Sequence, residues 1–116
     1  MEGVDRKALA RQLYEAFSAG DRAFFEEHLA DDLVFQSPPD PRLDRAGFFE
    51  KCWPDAGGGQ GIDVVREIES GDEVVVTYEL TRPDGTGGRN TEVLTFDGDK
   101  VTHIEVYFGW DKEGQE

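Results

Sequence analysis

Glu73-Val74-Val75-Val76-Thr77-Tyr78-Glu79-Leu80-Thr81-Arg82 is the stretch that decides the fold. Val74, Val76, Tyr78 and Leu80 share one face, and Glu73, Thr77, Glu79 and Thr81 share the other, which is the two-residue period of a strand covered on one side. The same period recurs over 62–69, 89–96 and 100–108. The connections are short and polar: Ser70-Gly71-Asp72, Pro83-Asp84-Gly85-Thr86-Gly87-Gly88 and Asp97-Gly98-Asp99. Links of this kind join antiparallel neighbours, so 62–108 reads as an antiparallel meander.

Upstream, the spacing lengthens to that of helices. Leu9, Leu13, Ala16 and Phe17 recur at intervals of three and four, with Asp5 placed to cap the helix and Val4 placed to staple onto Leu9. Gly20 ends that helix, and Asp21 caps a second one carrying Phe24, Phe25 and Leu29, which runs out near Asp31-Asp32. Leu33–Gln36 reads as a short strand. Three prolines within Ser37-Pro38-Pro39-Asp40-Pro41 forbid regular structure there. Asp44 then caps a third helix, whose broad face holds Phe48, Phe49, Cys52 and Trp53 before Pro54. Gly57-Gly58-Gly59-Gln60-Gly61 is a connector: no strand leads into it, and no Lys-Ser/Thr follows to make it a phosphate loop. Three helices followed by a meander define an α+β fold in which helices cover one face of a curved antiparallel sheet. The whole of 1–116 is expected to form one domain, with its core over about 5–110 and a frayed tail at 111–116.

Composition agrees. A chain of 116 residues with 37% hydrophobic and 11% aromatic residues can fill one core. Its single cysteine, Cys52, excludes a disulfide framework and a multi-cysteine zinc site, and no His–carboxylate spacing suggests a metal. A net charge of −14 repels polyphosphates and anionic membranes, so nucleic acid and membrane partners are not expected. With no long apolar run and no apolar leader, the chain reads as a soluble cytoplasmic protein.

Strand parity sorts the polar residues. The inner face of 89–96 holds Leu94 and Phe96 and, by the same count, Glu92 and Asn90. In 62–69, Ile62, Val64 and Ile68 mark the inner face and bring Arg66 with them. In 100–108, Thr102, Ile104, Val106 and Phe108 point inward, while Val101, His103, Glu105 and Tyr107 point outward. An inward carboxylate is costly unless it is paired, hydrogen-bonded or protonated. Glu92 and Arg66 are therefore either a buried structural pair or convergent polar groups of a small-molecule pocket. Burial raises the Glu92 pKa and a nearby Arg66 lowers it. Tyr14 lies where its hydroxyl could enter the pocket, and Phe49 and Trp53 where they could line its opening.

Tyr14-Glu15-Ala16-Phe17-Ser18-Ala19-Gly20-Asp21, Leu29-Ala30-Asp31-Asp32-Leu33-Val34-Phe35 and Val101-Thr102-His103-Ile104-Glu105-Val106-Tyr107-Phe108-Gly109 resemble the nuclear transport factor 2-like superfamily, most closely its SnoaL-like and ketosteroid isomerase-like branch. The resemblance spans about residues 5–110. It implies a cone of curved sheet closed by three helices around a pocket, and a homodimer formed through the outer sheet face. It does not imply one activity, because this fold hosts enzymes of several kinds as well as non-catalytic modules.

The isomerases' catalytic positions transfer poorly. Their helix tyrosine falls on Leu13, with Tyr14 one residue out of register, and their base falls on Ser37; only their late-strand acid finds a counterpart, at Glu92. The paired acids of the limonene epoxide hydrolase-like pattern are also missing: its late-strand motif reads Asn90-Thr91-Glu92, and the partner acid falls near Val106. Steroid isomerisation by the isomerases' mechanism is therefore not expected. Two readings stay open. In one, a pocket lined by Tyr14, Phe49, Trp53, Arg66, Asn90, Ile104 and Val106 binds a small, partly apolar organic molecule. Glu92 then moves a proton in an isomerisation, cyclisation or dehydration that needs no cofactor. In the other, the chain is a non-catalytic ligand-binding or dimerisation module, and Glu92 and Arg66 are structural.

Overall fold

An aspartate starts each of the three helices. In the computed structural model, which describes residues 5–112, Asp5 caps α1 (Arg6–Ala19) by accepting from the Ala8 N–H at 3.1 Å. Asp21 caps α2 (Arg22–His28), accepting from Phe24 at 3.2 Å. Asp44 caps α3 (Arg45–Lys51), accepting from Gly47 at 2.8 Å. Each side chain satisfies a helix-end donor that has no partner within the helix. The expected staple from Val4 lies outside the described residues. Gly20 closes α1 with φ 76°, a left-handed conformation that glycine adopts without steric cost. A single 3-10 turn over Trp53–Asp55 follows α3.

Five strands form one curved sheet: β1 (Leu29–Gln36), β2 (Gly61–Ser70), β3 (Glu73–Thr81), β4 (Gly87–Asp97) and β5 (Lys100–Lys112), in the order β1-β5-β4-β3-β2. From β2 to β5 it is the expected antiparallel meander. β1 departs from the expectation because it lies parallel to β5, pairing Leu29 with Val101 and Phe35 with Ile104, so the sheet is mixed. The chain between them, carrying α3 and the other three strands, supplies the long crossover that a parallel pair requires. The second helix also stops earlier than expected: Leu29 opens β1, and Asp31 and Asp32 lie within that strand. At the other end, Asp111 and Lys112 extend β5 opposite Gly88 and Gly87 instead of fraying; residues 113–116 lie outside the described residues.

Two irregularities change which side chains face the helices. In β2, Val64 pairs with Tyr78 but Arg66 pairs with Thr77, leaving Val65 as the extra residue of a bulge. Beyond it the parity reverses. Arg66 and Ile68 turn to the outer face, where Ile68 is 52% exposed, and Glu67 turns inward to form an ion pair with Arg11 of α1. The expectation of an inward Arg66 is therefore corrected. In β5, Thr95 pairs with His103 and Phe96 with Val101, so a bulge at Thr102 brings Val101 inward, contrary to its expected outward position. Val101, like Leu33, Val74 and Val76, is fully buried, and burial of such side chains stabilises by about 1.5–3 kcal/mol each.

Candidate active site

β4 crosses the middle of the concave face and carries Glu92 between β3 and β5, opposite Val76 and Val106. The β3–β4 ladder runs without a register shift through it, so its inward parity, counted from Leu94, holds. Its carboxyl forms part of the wall of a cavity of about 230 Å³ between sheet and helices, otherwise lined mainly by apolar groups such as Leu13, Phe25, Phe48, Leu94 and Ile104. Lys51 and Asp55 also line it and are exposed, which puts its mouth at the end of α3 and the turn after it.

Two tyrosines grip the carboxyl. Tyr14, from α1, donates to Oε1 at 3.0 Å, and Tyr78, from β3, donates to Oε2 at 2.6 Å. Their rings pack with centroids 5.1 Å apart. Asn90 Nδ2 donates to the Tyr78 hydroxyl at 3.5 Å and supports it from behind. Enclosure pushes the Glu92 pKa above the ordinary carboxylate range, while the hydrogen bonds from Tyr78 and Tyr14 oppose that rise. Both phenols are driven upward, first by burial and then by the Glu92 charge, so they stay protonated and remain donors at neutral pH. The Cys52 thiol in the same wall is pushed up to about 11, chiefly by burial. Glu92 is thus an acid whose proton is held more tightly than usual, in contact with an apolar hollow: an arrangement that can take a proton from, or return one to, a bound molecule.

Sequence reasoning placed some of these residues and misplaced others. Glu92, Tyr14 and Ile104 line the cavity, and Asn90 stands one hydrogen bond behind it. Phe49 is buried in the core, with the Arg22 and Arg45 guanidinium groups 4.3 and 5.2 Å from its ring centre. Trp53 packs edge-on against Phe17, Phe25 and Phe49. Neither lines the cavity, because the Trp53 ring packs on Phe17, Phe25 and Phe49, and the Phe49 ring lies between Phe48, Trp53 and the two guanidinium groups. Val106 lines a separate surface groove with Pro38 and Phe108, and Arg66 faces the opposite side of the sheet. Tyr78 was missed as a site residue even though its inward parity was legible; the available signal was its position diagonal to Glu92 on the neighbouring strand. Among the described residues, no group of three or more His, Cys, Asp or Glu side chains is placed to hold a metal ion, and no helix is long and apolar enough to cross a membrane.

A curved mixed sheet wrapped on three N-terminal helices, with an internal hollow, defines the nuclear transport factor 2-like class of α+β domains. Within that class the chain belongs to the SnoaL-like domain family, whose sequence model matches residues 10–104. Solved structures agree on the fold. A candidate ketosteroid isomerase from Kribbella flavida superposes with a TM-score of 0.77 at 21% identity, over 92% of this chain and 79% of that one. IdmH, a candidate polyketide cyclase from Streptomyces antibioticus, gives 0.70 at 18% identity, over 89% and 91%. A protein of unknown function from Cytophaga hutchinsonii gives 0.73 at 16% identity, over 94% and 93%. Among curated proteins, none matches the sequence significantly.

Proposed function

We propose that the chain binds a small, largely apolar organic molecule in the cavity and shifts a proton on it through Glu92, in an isomerisation, cyclisation or dehydration. The observation that carries this reading is the Glu92 carboxyl in the wall of an apolar hollow, held at both oxygens by Tyr14 and Tyr78. Arg66, the candidate cationic partner of a structural pair, faces the other side of the sheet, and the hydrogen bonds made by Glu92 come from two neutral hydroxyls. Tyr14 and Tyr78 hold the carboxyl and can turn a hydroxyl towards a substrate oxygen when Glu92 is protonated. The carbonyl-activated forms of these three reactions each begin by removing a proton from the carbon next to the carbonyl, so a ketone with acidic α-hydrogens is the simplest probe. At an interior packing density of ~0.74, about 230 Å³ holds a molecule of roughly 170 Å³, and 2-tetralone falls within that. The test is protein-catalysed hydrogen–deuterium exchange at the α-carbons of 2-tetralone, followed by NMR. The wild-type chain exceeds buffer, and Glu92→Gln loses about 10²-fold or more of the excess; equal rates for the two proteins overturn the reading.

The outer sheet face is read as the meeting surface for a second copy. On that face Tyr107, 55% exposed, donates to Glu105, which lies beside His103, and Ile68 on β2 is 52% exposed; aromatic residues among polar ones are common at protein interfaces. Sedimentation gives twice the 13.0 kDa chain mass if this is right; a monomer at 100 μM overturns it.

A further inference from the structure

The walls of the cavity are unevenly charged. Among the described residues, three carboxyl groups line it (Asp40, Asp55 and Glu92) against a single ammonium, Lys51. They do not sit together. Glu92 lies on the sheet side among the tyrosines, whereas Asp40, in the loop after β1, and the exposed Asp55, in the turn after α3, line the cavity from the α3 side, where both act on the Cys52 thiol next to the mouth. Asp55 also borders the adjoining surface groove, whose lining includes Arg82. Even with Glu92 protonated, two carboxylates oppose one lysine, and an exposed lysine ammonium extends into water more readily than it stays over an apolar opening. Cys52 responds to this field: after burial, Asp40, Asp55 and Glu92 are what raise its pKa. Beyond the mouth, the chain's net charge of −14 draws cations and repels anions at a distance.

We infer that the cavity takes a molecule whose apolar body carries one cationic nitrogen at the mouth end, between Asp40 and Asp55, and that it turns away the corresponding carboxylic acids. This rests on the ligand-binding reading above and adds the charge class of the ligand. An apolar body buries against the aromatic wall, an ammonium at the rim keeps part of its hydration while facing two carboxylates, and no buried charge is left unpaired.

An isosteric series tests the inference: 2-aminotetralin, 2-tetralol and 1,2,3,4-tetrahydro-2-naphthoate share one ring system and differ in charge. Each is titrated into the full chain at pH 7, with binding read from amide and methyl NMR shifts of cavity residues. The amine binds at least tenfold more tightly than the acid, with the alcohol between them, and the amine's advantage over the alcohol shrinks between 0.05 and 0.5 M salt. In the Asp40→Asn, Asp55→Asn double variant the alcohol binds within twofold of wild type, and the amine falls to the level of the alcohol. An acid that binds as tightly as the amine, or an amine advantage that survives in the double variant, overturns the charge assignment while leaving the ligand-binding reading intact. If none of the three shifts a cavity signal, the ligand-binding reading fails and this inference fails with it.

Discussion

Tyr78 and Glu92 meet diagonally across the β3–β4 ladder. Val76 stands opposite Glu92 and Asn90 opposite Tyr78, yet the Tyr78 hydroxyl reaches Oε2 at 2.6 Å. A diagonal of this kind is within the span of an aromatic side chain and fixes the carboxyl against the sheet, while Tyr14 fixes its other oxygen from α1. The network therefore ties the helical layer to the strand that bears the acid.

Removing one of the two donors tests how far the carboxyl depends on them. Tyr78→Phe keeps the ring and deletes the hydroxyl, leaving Oε2 without that bond at a cost of about 1–3 kcal/mol. The Tyr78 hydrogen bond holds the Glu92 pKa down, so the variant titrates Glu92 at higher pH than wild type. Urea unfolding measures the first effect and the carboxyl ¹³C shift against pH the second. A midpoint that stays put would show that Tyr78 does not share the Glu92 proton equilibrium.

Glu92 also sets a slope in stability against pH. Its pKa is raised in the folded protein relative to the ordinary glutamate value of roughly 4.3, so the folded state binds its proton more tightly than the unfolded state does. The stability this confers is complete below about pH 4.3 and is lost as pH rises through the folded-state pKa. Glu92→Gln carries no such proton. The stability of wild type minus that of the variant therefore falls as pH rises from 4 towards 8 and flattens above the folded-state pKa. Urea unfolding at several pH values gives the curve, and a difference that grows with pH would contradict the direction of the shift.

Most of this architecture was legible because helix caps and alternation act locally. Asp5, Asp21 and Asp44 each cap as their positions suggested, and β2 to β5 form the meander implied by the short turns between them. What escaped was non-local. The parallel seat of β1 against β5 leaves no mark in either segment. The bulge at Val65 adds a single residue with no Gly or Pro to announce it, yet it sends Arg66 away from Glu92. Glu92 survived this test because no bulge separates it from Leu94. Trp53 and Phe49 were misread for another reason: a helical face identifies which side is buried, but not whether it meets a cavity or other rings.

Cys52 offers an independent check on the environment of the cavity. With its pKa pushed up to about 11 by burial and by Asp40, Asp55 and Glu92, almost none of it is thiolate at neutral pH, and the thiolate is the species that alkylates. Iodoacetamide modification of the native chain should run at least tenfold slower than in urea at pH 8. The native rate should keep climbing to the highest pH at which the fold survives. A native rate that levels off near pH 8.5 would mean an ordinary thiol and a more polar wall than the one described.

Two glycines flank Thr81 across the ladder, Gly61 on β2 and Gly87 on β4, and substitution should separate them. A β-carbon on Gly87 would overlap the Leu80 carbonyl oxygen, whereas one on Gly61 would lie 3.9 Å from the Thr81 carbonyl oxygen, an ordinary contact. Backbone cannot swing aside as a side chain can, so Gly87→Ala must spread the start of β4 from β3, at a cost of about 1–3 kcal/mol for forced packing. Gly61→Ala should change stability by no more than about 0.5 kcal/mol, as surface substitutions clear of special contacts do. The damage from Gly87→Ala should also reach the cavity, because Leu80 lines it and Asn90, which supports Tyr78, lies three residues along β4. Thermal unfolding of the two variants, together with the Glu92 carboxyl titration in each, reads both consequences. Equal melting temperatures would mean that β3 and β4 are not in such close backbone contact at Gly87.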